Sequence, residues 1–256
     1  MKMNGNTILI TGGASGIGRA LAEAFHAQGN QVIIAGRRRA LLDQVTVANR
    51  GMEAIALDIE DAASLPRFAQ KLMKDFPALN VVINNAGIMR DEALVEGAIG
   101  DAEATVATNL LGPIRLTAAL LPHLLKKPDA VLVNVTSGLA FVPLVLTPTY
   151  SATKAALHAY TQSLRWQLKD TKVQVIELVP PYVQTELQGD WQAKDPMAMP
   201  LKEFITEVMN LLRDNPEAGE ILVERVKPLR FAEATGNFDT MFKGLNEALI
   251  AARKSH

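Results

Sequence analysis

Cysteine is missing from this sequence altogether. That absence excludes disulfide staples, thiolate nucleophiles and cysteine-held metals, and it fits a reducing compartment. Histidine is scarce: His26, His123, His158 and His256 are the only four. None lies near another in the chain, so no metal-ligand spacing is present and no metal is expected. Nor is there an excess of one charge. The 26 basic and 27 acidic side chains nearly cancel, and no long basic run supplies a footprint for nucleic acid. No unbroken run of about 18 apolar residues crosses a bilayer, and the opening "MKMNGNTILITGG" is too short in its apolar part for a signal peptide. The expectation is a cytoplasmic protein with neither a membrane nor a nucleic-acid partner.

What is present points to an α/β protein. The chain has 256 residues, 48% of them hydrophobic, enough for one large core and one domain over 1–256. Seven short apolar runs read as strands: "NTILIT" (6–11), "NQVIIAG" (30–36), "MEAIALD" (52–58), "LNVVIN" (79–84), "AVLVNVTS" (130–137), "VQVIELV" (173–179) and "EILVERV" (220–226). Most are nearly continuous and β-branched, as strands covered on both faces are. Segments 17–28, 62–75, 100–123 and 150–168 carry helix formers with recurring apolar positions. This alternation predicts a Rossmann-type, doubly wound, seven-stranded parallel sheet with right-handed crossovers. No repeat or low-complexity linker divides it.

The first loop, "TGGASGIG" at 11–18, follows strand one and opens the first helix. A pyrophosphate needs close backbone approach and exposed helix-start amides, and Gly12, Gly16 and Gly18 leave room for it. After strand two the chain reads Gly36-Arg37-Arg38-Arg39. A carboxylate there would favour NAD, whereas an arginine fork suits the 2′-phosphate of NADP. Of the three arginines only Arg37 is well placed by sequence, and the run is also compatible with a solvated helix start. Asp58, ending strand three, is placed either to accept from an adenine amine or to cap the next segment. "NNAG" at 84–87 ends strand four. Asn84 and Asn85 can bind their own backbone in a turn, and Ala86 and Gly87 leave space beside a cofactor.

In "PTYSATKAA" (148–156) Tyr150 and Lys154 are four residues apart, which on a helix puts them on one face. An ammonium beside a phenol in a dry cleft favours the phenolate, so Tyr150 is a candidate proton donor and acceptor. Taken alone, the pair reads better as a core tyrosine beside a surface lysine. Ser137, closing strand five, changes that weighting. A strand end feeding a helix start can bring its hydroxyl to the same carboxyl-edge crevice and hold a substrate oxygen. Ser137 lacks a "GxSxG" elbow, so serine hydrolysis has no support.

"TGGASGIG", "NNAG", Asn109 in "TNLLGP", Ser137 in "NVTS", and "YSATK" occur in this order over almost the whole chain. In these motifs it resembles the classical short-chain dehydrogenase/reductase family. The resemblance implies that Tyr150 is general acid in reduction and general base in oxidation, with Ser137 polarising the carbonyl. It implies that Lys154 binds the nicotinamide ribose and lowers the tyrosine pKa, and that Asn109 bends its helix and keeps a relay water. It further implies cofactor contacts at Gly12, Ser15, Gly16, Ile17 and Gly18, at Arg37, at Asp58 and Ile59, and at Asn85, Ala86 and Gly87. Tyr150, Lys154, Pro180, Val183 and Thr185 complete that set. The helices at 100–123 and 150–168 resemble the pair that forms the family's dimer bundle, so a homodimer is expected.

The chain departs from the family where "VPPYVQTEL" has Pro181 in place of a common glycine. Its fixed φ and missing N–H make the geometry at Thr185 less secure. The region 186–215 is where the family covers substrate, and Trp191, Met197 and Met199 are candidates for an apolar lid, for the domain body or for a partner contact. Tyr182 and Leu187 are open to the same readings. The tail, 228–256, is atypical, and Phe238, Met241, Phe242 and Leu245 suggest a short helix docked on the domain or across a dimer seam. The expectation is an NADP-preferring oxidoreductase acting on a small carbonyl or alcohol. Its alternatives are an NAD-linked alcohol dehydrogenase and a dinucleotide-binding regulatory protein with little turnover.

Overall fold

Parallel strands need both faces covered, and the strand sequences meet that need. The computed structural model describes residues 1–97 and 99–254. The strands are β1 (Thr7–Thr11), β2 (Gln31–Gly36), β3 (Glu53–Ala56), β4 (Val81–Asn84), β5 (Ala130–Val135), β6 (Val173–Val179) and β7 (Glu220–Leu222). They form one sheet in the order β3-β2-β1-β4-β5-β6-β7, every adjacent pair parallel. All five residues of β1 are buried, and alternate side chains enter opposite cores. Ile8 and Ile10 join Val32 and Ile34 on one face, while Leu9 joins Ile33 and Val82 on the other.

Among the described residues the α-helices are α1 (Gly16–Ala27), α2 (Arg39–Ala48), α3 (Leu65–Asp75), α4 (Gly100–Val106), α5 (Gly112–Leu124), α6 (Pro148–Gln167), α7 (Asp190–Lys194), α8 (Leu201–Asp214), α9 (Lys227–Arg230) and α10 (Phe238–Lys254). Helices α1, α2 and α8 cover the first core with Phe25, Leu42 and Phe204. Helices α3, α5 and α6 cover the second with Leu72, Leu116 and Leu164. Phe204 and Val208 of α8 are fully buried, each contributing about 1.5–3 kcal/mol. Within the region 186–215, expected as a lid, the inner face of α8 thus belongs to the core.

Three boundaries differ from the sequence reading. β7 stops at Leu222, opposite Val179, because β6 runs into Pro180 and Pro181, and Pro has no N–H for a ladder. The segment read as strand up to Val226 turns instead into a single 3₁₀ turn at Glu224–Val226. The helix expected over 100–123 widens into a π-turn at Ala107–Leu111, between α4 and α5. Pro113 explains it, since it has no N–H to return to the carbonyl of Asn109, as an α-helix requires. The whole stretch Gly100–Leu124 has the length and composition of a membrane span, yet Leu116, Leu120 and Leu124 bury against the sheet. Thirdly, α6 begins earlier than expected, with Pro148 in its first turn, where a missing N–H costs nothing.

A chain of buried amides stitches the sheet to α6. Asn84 Nδ2 donates to Asn134 Oδ1 at 2.9 Å, and Asn134 Nδ2 donates to Thr161 Oγ1 at 2.9 Å. Both asparagines are buried, so removing one strands the other's polar atoms. Asn134→Leu is expected to lower unfolding free energy by about 2 kcal/mol, read as a lower denaturant midpoint at unchanged slope. An unchanged midpoint would mean the network contributes nothing net.

Candidate active site

The sheet order reverses between β1 and β4, and there two loops meet. Gly12 and Gly16 take φ of +68° and +53°, values that favour glycine. A Cβ on Gly12 would lie 2.9 Å from both Ala86 Cα and Asn85 Nδ2. One on Gly18 would lie 2.3 Å from Asn85 Nδ2 and 2.4 Å from the Gly12 carbonyl oxygen. The room at Gly12 and Gly18 is thus filled by the neighbouring loop. At Gly16 a Cβ would meet Thr185 at 3.5 Å. Asn84 and Asn85 do not bind their own backbone, as a local turn would have it. Asn84 faces Thr117 and Asn134, and Asn85 Nδ2 donates to the Thr11 carbonyl at 2.9 Å. The strands present them to neighbours instead of letting the chain fold back.

Ser15 stands at the N-cap of α1 but its side chain makes no capping bond. Its Oγ accepts from Arg38 Nη2 at 2.7 Å. The first-turn amides of α1 therefore keep no side-chain acceptor from Ser15, and no acidic residue occupies that turn. Free amides and a cationic neighbour at a helix start fit a phosphate group. Arg37 and Arg38 both border the cleft. The sequence reading favoured Arg37 alone; Arg38 reaches the glycine loop because the chain turns into α2 at that residue. Arg37 pairs with Glu60 at 3.9 Å, both exposed. Asp58 is exposed and does not border the cleft; its carboxylate accepts from Glu60 N at 3.1 Å. It makes a local turn, neither bordering the cleft nor capping the next helix, which begins at Leu65, while Ile59 next to it lines the cleft.

The cleft is continuous, about 520 Å³, and is bordered by Gly12, Ser15, Gly16, Ile17, Asn85, Ala86, Gly87, Ser137, Tyr150, Lys154, Pro180, Val183 and Thr185 among the expected residues. Gly18 lies behind it. So does Asn109, which is buried, with Oδ1 accepting from Ile88 N and Nδ2 donating to Ile88 O, both at 2.8 Å. Asn109 sits in the π-turn and braces the segment after Gly87, whose Cβ position would be 3.3 Å from its Oδ1. Trp191, Met197 and Met199 do not border the cleft. Met199 instead bridges Val183 in the backbone, and Trp191 Nε1 donates to the Gln188 carbonyl at 2.8 Å. Leu187, Gln188 and Gln192 border it in their place, as does Tyr182, whose hydroxyl donates to Asp195 at 2.8 Å.

Helix α6 places Tyr150 and Lys154 on one face, both buried. Lys154 Nζ lies 5.6 Å from the Tyr150 ring centroid and donates to the Val135 carbonyl at 2.8 Å. Burial pushes Tyr150 up to about 12, partly offset by a hydrogen bond from Ser137. Burial likewise lowers Lys154 to about 8. The expected depression of the phenol by the ammonium is therefore outweighed here. Taking each group from water penalises its charged form.

One cluster could not be found from spacing. His158, Glu177 and Glu220 bring ligand atoms within 4.8 Å of one another. They come from α6, β6 and β7, far apart in sequence. Arg230 already binds Glu220 at 3.0 Å, and Glu177 accepts from Thr136 at 2.7 Å and pairs with His158 at 2.8 Å. The two carboxylates thus have partners of their own. His26 and His123 stand apart from this group, and His256 lies outside the described residues.

Comparison with known proteins agrees with this geometry. A family profile described as short chain dehydrogenase matches residues 6–196. An uncharacterized oxidoreductase, DltE, of Bacillus subtilis is 39% identical over 254 residues, covering 96% of this chain and 98% of its own. An NADP-dependent 3-hydroxy acid dehydrogenase of Schizosaccharomyces pombe is 32% identical over 206 residues, covering 76% of this chain and 80% of its own. The structure of a short-chain dehydrogenase from Sphingobium yanoikuyae in complex with NADPH superposes with a TM-score of 0.78, at 26% identity over 94% of each chain.

The buried lysine has a measurable consequence. Its folded value of about 8 lies below the ordinary 10.5, so between these pH values the unfolded chain binds the extra proton and stability rises with pH. Below pH 8 both states are protonated and the folded chain bears the cost of a buried charge. Relative to Lys154→Met, the wild type should gain about 2 kcal/mol between pH 7 and 9.5, measured by denaturation of both proteins. Parallel pH profiles would show that Lys154 is not buried as a charge.

Proposed function

The chain belongs to the short-chain dehydrogenase/reductase family of NAD(P)-dependent oxidoreductases, and from that premise we propose that it prefers NADP and acts on a carbonyl or alcohol with Tyr150 as the proton donor. The observation that carries the reading is that Ser137, Tyr150 and Lys154 border one cleft together, Tyr150 and Lys154 from one face of the same helix. When bound, the nicotinamide supplies the hydride. The residues of the chain manage the oxygen and its proton.

Tyr150 is held protonated by burial, which suits it to donate to an oxygen that is becoming an alkoxide, a much stronger base than phenolate. Ser137 Oγ accepts from Leu139 N at 3.1 Å. This fixes the oxygen while its hydrogen stays available to Tyr150 or to a substrate carbonyl. Lys154 is the residue to hold the ribose hydroxyls, and Gly87 leaves room beside it. Asn109 acts on the same loop through Ile88.

The NADP preference rests on Arg37 and Arg38 at the end of β2. The Arg37–Glu60 pair is long and exposed, so it competes weakly with a phosphate. The first-turn amides of α1, with Gly16 and Ser15, are suited to the pyrophosphate, and Val183 and Thr185 to the carboxamide end. A homodimer through the outer faces of α5 and α6 belongs to the same proposal, motivated by the exposed Leu125 and Trp166 there.

Tyr150→Phe is expected to lower NADPH-dependent carbonyl reduction by about 10²-fold or more while cofactor affinity stays within a small factor. Unchanged turnover would remove Tyr150 from the proposal. In direct binding at one salt concentration, Arg37→Ala and Arg38→Ala should each weaken NADPH more than NADH. An equal loss for both cofactors would leave the preference without a basis. Tight binding with no reduction of any carbonyl would favour a regulatory role instead.

A further inference from the structure

The two ends of the cleft differ in chemistry. Arg37 and Arg38 stand at the glycine-loop end, whereas the wall beyond Ser137 and Tyr150 is built of leucine. Leu139 and Leu144 come from the β5–α6 connection, Leu229 from α9, and Leu245 and Leu249 from α10. Two of them lie against neighbours of the reacting groups. A Cβ on Gly138, the residue after Ser137, would lie 2.8 Å from Leu229 Cδ1. Leu144 N donates to Oγ of Ser151, the neighbour of Tyr150, at 3.2 Å.

Helix α10 is not loosely attached. Asn246, buried between Leu245 and Leu249 in sequence, accepts from Val145 N at 2.7 Å through Oδ1. Its Nδ2 donates to the carbonyls of Pro143 at 3.1 Å and Phe242 at 2.8 Å. These bonds register the helix on the very connection that carries Leu144. The tail expected to form a short helix is thus a long one, docked on its own domain, and it contributes two side chains to the cleft. Two further cations border the cleft: Lys154 is buried and bonded to the Val135 carbonyl, and Arg90 is bonded to Asp101.

We propose, on the oxidoreductase reading above, that the larger substituent of the substrate is an uncharged aliphatic chain or ring lying against this leucine wall, which α10 completes. A charged substituent would lose its hydration there and find no fixed counter-charge among the five leucines. An aliphatic one loses only its contact with water.

Straight-chain primary alcohols from butanol to decanol can be titrated calorimetrically into the protein with saturating NADP⁺. Affinity should rise about three- to fourfold for each added methylene until the wall is covered. Leu245→Ala and Leu249→Ala should each flatten that gradient, and Leu245→Phe should move the plateau to shorter chains, all with NADP⁺ affinity retained. Affinity independent of chain length, or gradients identical in wild type and all three variants, would overturn the proposal. Reduction of the matching aldehydes by NADPH, followed in parallel, separates the two readings. A binding gradient without turnover supports the wall and removes the oxidoreductase proposal. Turnover without a gradient removes the wall alone.

Discussion

The rest of the site depends on one close approach, that of the loop after β4 to the loop after β1. Asn85 occupies space that a side chain at Gly12 or Gly18 would claim, and Thr11 Oγ1 accepts from the backbone N–H of both Asn85 and Ala86. The ends of the two strands are held together at the point where the sheet reverses its order, the place where α/β sheets open a crevice. With that contact set, the first turn of α1 faces the crevice on one side and Gly87 faces Lys154 on the other. A single methyl at position 18 would push against a backbone carbonyl, which cannot yield as a flexible side chain can.

Dryness is the second organising condition. Tyr150 and Lys154 are both buried, and each is shifted toward its neutral form. The cleft therefore resists charge on its proton-handling residues and keeps a phenol that holds its proton firmly. The fully buried Glu177 is met by a hydrogen bond from Thr136 and by one with His158. A polar group is accommodated in this interior where specific partners meet it.

Much of this was legible in the sequence, and the divisions are physical. The central strands could be read because burial on both faces writes an unbroken apolar run. Tyr150 and Lys154 could be paired because helical spacing is local. Where β7 ends was not legible, since it depends on Pro180, which follows the neighbouring strand β6. Glycines 12 and 18 were correctly seen as needing space, but what fills it is Asn85, some seventy positions away in the chain. Arg38 was passed over because a run of three arginines carries no period that tells inward from outward. Trp191 and Met199 stayed open for the converse reason: large apolar side chains after a strand end suit a lid or a core equally. The leucine wall left no signal, being assembled from three segments with no common pattern.

Helix α10 also has a meaning for the order in which the protein is made. Every loop of the glycine-lined half of the cleft, through Thr185, leaves the ribosome before Leu249 is added. At ordinary rates of synthesis the interval is roughly 3–13 s. Over that time a nascent chain has its nucleotide-facing half in hand while Leu139, Leu144 and Leu229 lack the helix that covers them. An apolar flank exposed on an otherwise assembled sheet is what chaperones recognise. Helix α10 is thus the element that covers this flank.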